Sequence, residues 1–429
     1  MAEEKEPVRL LSNLLFTRIF ETFRVSIQPS KLAIAFLALT TICLTGWTMD
    51  LVQSTLAADS LRLPDCISMA QPPSDHAGVF SVLWNTGAGQ FHRGLYSLLT
   101  LDAPGVFAGL GTYVRTLIWA FEYHPIYSVI FFVVVLAVLS LAGGAICRIA
   151  ALQFAKAEPP VLAQAVRFSV RRFASLFAAP LIPLVVIAAV GLSIVLLGFL
   201  GNIPFVGELM VGLFLPLTLI AAGFVAVVLI GAIAGLNLMF PAIAYEDSDS
   251  FDAIGRSFAY VYDKLWSMGF YTVVTTVYGA VCYVFVRFFM FLLLSASYWF
   301  LRVGFALLHN EQKLREIWPR PTFSNFYGAP VTMPDTWSTW LGAQLIHLWV
   351  LAAVGLMVSF LISFYFSAST ITYALMRHRV DDTPLDEVYI DSEEPAGART
   401  PAEAPSGPTT SEPQPRMASD SGPQLETSE

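Results

Sequence analysis

The side chains best placed to do chemistry in this sequence are the few charged and polar residues inside or beside long apolar runs. Arg287 is the single basic residue within such a run, 267–298. An ionisable group at membrane depth marks either a functional site or a partnered charge. It follows Trp266 by 21 residues, about 31 Å of helix at 1.5 Å per residue, which sets it toward one end of the run. Gln344 and His347 stand about 30 residues before Arg377 and fall toward the same side. Two readings follow. Arg287 and His347 line an outward-facing cavity, or Arg287 snorkels or forms an ion pair while His347 makes a hydrogen bond between helices.

A second polar group lies in residues 240–266, FPAIAYEDSDSFDAIGRSFAYVYDKLW. An apolar run ends at a proline, Glu246 and Asp249 follow, and a helix with Arg256 begins. Ser248 or Ser250 is the expected cap, with Asp249 and Asp252 favouring the positive end of the helix. Arg256 and Lys264 are expected to face lipid phosphates. No other constellation specifies a reaction. The six histidines are scattered, and no HExxH, GxSxG or CxxC occurs. The GAG at Gly87–Gly89 lacks the lysine and the strand-to-helix setting of a phosphate loop, and reads as a turn. The sequence therefore offers no catalytic, cofactor-binding or metal-ligating set. Asn237 reads as a packing or capping residue, and Gly231 and Gly235 in GAIAG as a close helix contact.

The elements that must position these residues follow from composition. The chain of 429 residues is 56% hydrophobic and 13% charged, with mean hydropathy +0.64, against about 25% charged in a soluble domain. Six apolar runs reach the ~20 residues needed to cross a bilayer: 32–51, 126–147, 175–201, 209–240, 267–298 and 340–375. Pro180, Pro183 and Pro216 are expected kinks. The first run begins too late and is too long for a cleaved signal peptide, and reads as a retained span. The fold class is all-α, a polytopic transmembrane helix bundle.

Lysine and arginine placement sets the expected orientation. With residues 1–31 inside, inner segments hold 16 and outer segments 7. Both ends are then cytoplasmic and the protein lies in the inner cell membrane. Two outer loops are long, about 53–125 and 301–338. The first is expected to hold one or two short surface helices, with Phe107, Tyr113, Trp119 and Phe121 at headgroup level. The net charge of −8 belongs to residues 380–429, which carry 12 acidic and 2 basic residues. This Pro/Ser-rich tail reads as disordered, and a near-neutral body excludes a nucleic-acid footprint. Of the cysteines, Cys43, Cys147 and Cys282 are in or beside apolar runs and Cys66 is in a loop, so no disulfide framework is expected.

An offset of 88 residues places Glu158 on Glu246, Ala165 on Ala253, Val166 on Ile254 and Ser169 on Ser257. Both segments read as amphipathic helices on the inner face, each leading into a span. Residues 8–25, with Leu11, Leu14, Leu15, Ile19 and Phe23 on one face, hold the same place before the first span. Three units of surface helix, span, outer loop and span result, their helices bound at the headgroups.

The block at 240–266 and the C-terminal stretch ITYALMRHRVDDTPLDEVY (371–389) resemble a group of uncharacterised bacterial multi-pass membrane proteins. More distantly they resemble the membrane domain beside some glycerophosphoryl diester phosphodiesterases. The resemblance covers about 126–389 and implies a six-span module. The phosphodiesterase catalytic domain has no counterpart, so its activity is not implied. Three roles stay open: a non-enzymatic scaffold whose acidic tail recruits a protein partner; a transporter or sensor of a lipid or small hydrophobic molecule, served by an unwound 209–240 span; and, with least support, a membrane-embedded enzyme. Membrane lipids are expected partners in each.

Overall fold

The computed structural model describes residues 15–56, 78–156, 161–327, 336–385 and 387–389. Cys66, Glu158, Leu11, Leu14 and the acidic tail from Ile390 onward lie outside them. A 3-10 turn at Leu15–Glu21 leads into α1 (Thr22–Ser26) and α2 (Pro29–Leu56). Then come α3 (Val79–Leu99), α4 (Ala103–Tyr123), α5 (Pro125–Lys156) and α6 (Leu162–Arg171). The chain continues through α7 (Phe173–Leu200), α8 (Val206–Glu246), α9 (Ser250–Asp263) and α10 (Leu265–Leu307). Short α11 (Glu311–Ile317) and long α12 (Trp337–Asp381) complete it. All regular structure among the described residues is helical. Helices α2, α5, α7, α8, α10 and α12 are each long and apolar enough to cross a membrane, and they carry the six expected runs. The chain is a multi-pass integral membrane protein.

The helices outrun the apolar runs that announce them. α8, α10 and α12 have 41, 43 and 45 residues, roughly twice the ~20 that span a hydrocarbon core. The expected unwinding of 209–240 does not occur: α8 passes Pro216 and Pro241 unbroken. A proline removes one donor, but the remaining ladder bonds hold, and hydrocarbon offers exposed backbone no other partner.

α12 is the axis, packed against α2, α5, α8 and α10. Its small residues admit these neighbours closely: Ser359, Ser363, Ser367, Ala368 and Thr370 are all buried. The hydroxyls of Ser359, Ser363 and Thr370 are satisfied inside the bundle. Ser359 and Thr370 donate to the carbonyls of Gly355 and Phe366 at 2.7 Å, and Ser363 to the terminal carbonyl of α1 at Ser26, also 2.7 Å. Gly143 of α5 leaves room for the Phe366 ring, which would lie 2.5 Å from an added Cβ.

One end of the bundle carries the α1 elbow, α6 and α9, each just ahead of a span; it is called here the near end. Its core joins Ile19, Leu152, Phe168, Tyr245, Tyr260 and Met376. Ala165 and Ser169 of α6, and Ala253 and Ser257 of α9, are buried alike, as the 88-residue offset aligns them. Gly231 and Gly235 of α8 take up Phe258 and Ser257 of α9, so the GAIAG pattern serves an internal contact.

The far end carries an antiparallel pair, α3 and α4, 21 residues each, docked on α2, α5 and α10. Gly87–Gly89, expected as a turn, lie inside α3; the missing Cβ of Gly87 admits the Tyr113 ring of α4. Gly78 begins α3 without a capping side chain, and Asp50 of α2 supplies one. Its carboxylate accepts from the backbone N–H of Phe80 (2.9 Å) and of Ser81 (3.0 Å), and from the Tyr127 hydroxyl (2.7 Å). α7 and α8 form a two-helix arm. The buried residues of α7 end at Pro183, and in α8 none lies between Gly207 and Gly231, so the arm joins the bundle at the near end alone.

Candidate functional site

Between α3, α5, α10 and α12 runs a cavity of about 1090 Å³. On α10 its wall extends from Met268 to Arg287, 19 residues or about 28 Å, close to the ~30 Å of a hydrocarbon core. Phe80, Leu83, Leu95, Phe131, Val358 and Leu361 make most of it apolar. Thr272, Thr276, Asn237 and Tyr365 lie toward the near end, where the Tyr365 hydroxyl donates to Asn237 Oδ1 at 2.5 Å. Asn237 is thus both a cavity residue and a link between α8 and α12.

Arg287 closes the far end of the cavity. It is only 8% exposed. One arm of its guanidinium meets His92 Nε2 of α3, and the other donates to the carbonyls of Phe323 (2.8 Å) and Ser324 (3.4 Å). The Tyr283 hydroxyl stands at 3.5 Å, and the rings of Phe323 and Phe326 lie 5.2 and 5.1 Å away, within cation–π range. His92 Nδ1 sits 2.7 Å from the Ala88 carbonyl, so Nδ1 bears the proton and Nε2 accepts from Arg287. That is the neutral tautomer. Burial, chiefly, and then the charge of Arg287 lower the His92 pKa, while the Ala88 hydrogen bond opposes them.

The expected partners of Arg287 sit elsewhere. His347 and Gln344 are on the exposed face of α12, His347 with its ring 5.4 Å from that of Tyr327. Tyr327 lines the cavity and His347 does not. Arg287 is brought instead to His92, 195 residues away. No local pattern signals this pairing, because His92 falls in a segment read as a surface loop.

The second polar group forms a fastening at the near end. Glu246 pairs with Arg256 (2.6 Å) and Arg377 (3.3 Å) and accepts from the Tyr373 hydroxyl (2.8 Å). Asp249, not Ser248 or Ser250, caps α9 by accepting from Asp252 N–H at 3.0 Å. Its planar carboxylate at the N-cap combines the hydrogen bond with charge at the positive helix end. Arg256 turns toward Glu246 and Asp252 (3.2 Å) rather than outward to phosphates. Asp247, in the left-handed conformation (φ 52°), holds Arg172 at 2.6 Å and Arg171 at 3.2 Å. Arg377 binds the carbonyl of Glu387 (2.7 Å) and Tyr389 N–H the carbonyl of Tyr245 (3.0 Å). Glu246, Asp247 and Asp252 are each matched by an arginine, so the cluster is built to hold elements together. Among the described residues, no three His, Cys, Asp or Glu side chains gather as a metal site would require.

No protein-family model, curated protein or solved structure matches the chain.

Proposed function

We propose that this membrane protein binds a long-chain lipid-like molecule inside its bundle, as a non-enzymatic carrier or sensor. The cavity carries this reading. It has about 1090 Å³, larger than most small-molecule sites at about 300–1000 Å³, and is apolar along nearly a hydrocarbon thickness. A short polar solute would leave most of that wall unmatched, whereas an extended acyl chain would cover it. In the proposed orientation the near end faces the cytoplasm, following the lysine and arginine bias, and the membrane is the inner cell membrane.

A scaffold role has one observation in its favour. Glu387 and Tyr389, just ahead of the acidic tail proposed to recruit a protein partner, are fastened beside Glu246. The two roles are compatible, since cavity and fastening are at different places.

The test is to purify the full chain in native-lipid nanodiscs and identify bound lipids by mass spectrometry, alongside Thr276→Trp. Thr276 lines the cavity, and the indole would intrude on the path of a bound chain. Enrichment of a lipid class in the wild type, lost several-fold in the variant, is expected. A wild-type lipid profile equal to that of the surrounding membrane removes the reading.

A further inference from the structure

Among the described residues Arg287 is a charge without a counterion. Its partners are a neutral imidazole, a tyrosine hydroxyl and two carbonyls, and among the described residues no carboxylate pairs with it. Burying an uncompensated guanidinium is costly, and charges inside membranes usually pair or mark a ligand path. The charge borders the large cavity. A second cleft of about 490 Å³, between α3 and α4, shares Gln90, His92 and Gly109 with it and adds Arg93, Ser97 and Thr112. Among the described residues neither lining contains an aspartate or a glutamate, and the nearest acid, Asp102, accepts from Gly105 N–H at the edge of the second cleft. The buried Arg287 guanidinium at the end of an apolar cavity is therefore a point of positive potential for whatever enters that cavity.

We propose that the occupant is an anionic amphiphile, a phosphate or carboxylate on one long chain, whose headgroup pairs with Arg287 while the chain lies in the apolar cavity. This rests on the lipid-binding reading above. The headgroup takes the position His92 Nε2 now holds against the guanidinium, and the polar cleft gives it room on the far side. A planar guanidinium offers two parallel donors to either anion, and charge-assisted bonds are the stronger kind.

The experiment uses the full chain in detergent at about pH 8, where carboxylates are ionised and histidine is neutral. Affinities are measured for hexadecyl phosphate, hexadecanoate, hexadecanol and inorganic phosphate. The wild type is expected to prefer both anionic amphiphiles over the alcohol by about tenfold or more, each tenfold being about 1.4 kcal/mol. Inorganic phosphate is expected not to compete. Arg287→Gln should reduce the preference to about twofold or less. Equal wild-type affinity for phosphate and alcohol overturns the inference but leaves the cavity reading intact. Competition by inorganic phosphate alone assigns a soluble anion and overturns it too. If no long-chain compound binds, the lipid-binding reading itself fails. The wild-type comparison decides even if Arg287→Gln does not fold.

Discussion

The guanidinium of Arg287 and the imidazole of His92 meet across 195 residues of sequence, and this contact ties the far-end pair α3–α4 to the span α10. It works because His92 is neutral, with Nε2 free to accept. A proton on that nitrogen would set a second cation against the buried guanidinium.

That makes the far end acid-sensitive. The His92 pKa is lowered mainly by burial, and Arg287 and Tyr283 of α10 are the groups that face its Nε2. A lowered folded value means that the unfolded chain takes up the proton more readily. The stability contributed is therefore complete above about pH 6.5 and lost as pH falls through the lower folded value. Thermal unfolding followed from pH 8 to 5 should show a drop in the wild type, and His92→Gln, whose amide oxygen can also accept from Arg287, should flatten it. An unchanged slope in the variant would exclude His92 as the source.

Asp50 is expected to matter as much for the cavity as for stability. It caps α3 from another helix, and α3 carries His92 and much of the cavity wall. Asp50→Ala leaves the donors of Phe80, Ser81 and Tyr127 without their carboxylate and should cost about 1–3 kcal/mol. Hydrogen exchange in 79–86 should rise before that in α12. Uniform exchange across the chain would count against a local cap.

At the near end, Glu246→Gln removes the shared counterion of Arg256 and Arg377. Arg377 is largely buried and Arg256 partly exposed, so a loss of about 2–3 kcal/mol is expected. Limited proteolysis should then cut more readily after Asp381, because Arg377 also holds Glu387. Unchanged cleavage would mean that Val388 and the Tyr389–Tyr245 bond suffice without the charges.

The orientation is tested by single cysteines in a cysteine-free background. Asn202→Cys, in the link between α7 and α8, should react with a membrane-impermeant maleimide on intact cells. Asp263→Cys, at the end of α9, should react only after permeabilisation. The reverse pattern would invert the topology.

The spans are legible in the sequence because the bilayer demands about 20 apolar residues in a row, and no such run is broken here by a charged cluster. Their ends are less so: α8 continues six residues past the run that stops at 240, since Pro241, Ala242, Ile243, Ala244 and Tyr245 are buried against α5 and α12 rather than in lipid. The near-end cluster is half legible. Glu246, Asp249 and Arg256 are close in sequence, but Arg377 and Tyr373 reach them only through the fold. The Arg287 site is not legible. Helices that are apolar on all sides give no moment to say which face meets which neighbour, so sequence depth alone places His347 and Arg287 at one level and misses His92.

The α7–α8 arm, held at one end alone, behaves as a cantilever. Among the described residues nothing in the bundle braces its outer half, so its tilt is set by the thickness of the surrounding lipid, where mismatch costs fractions of a kcal/mol per Å. A thinner or thicker bilayer would swing the arm while α12 and its neighbours stay packed, and the bending would concentrate near Pro183 and Gly231, where burial begins.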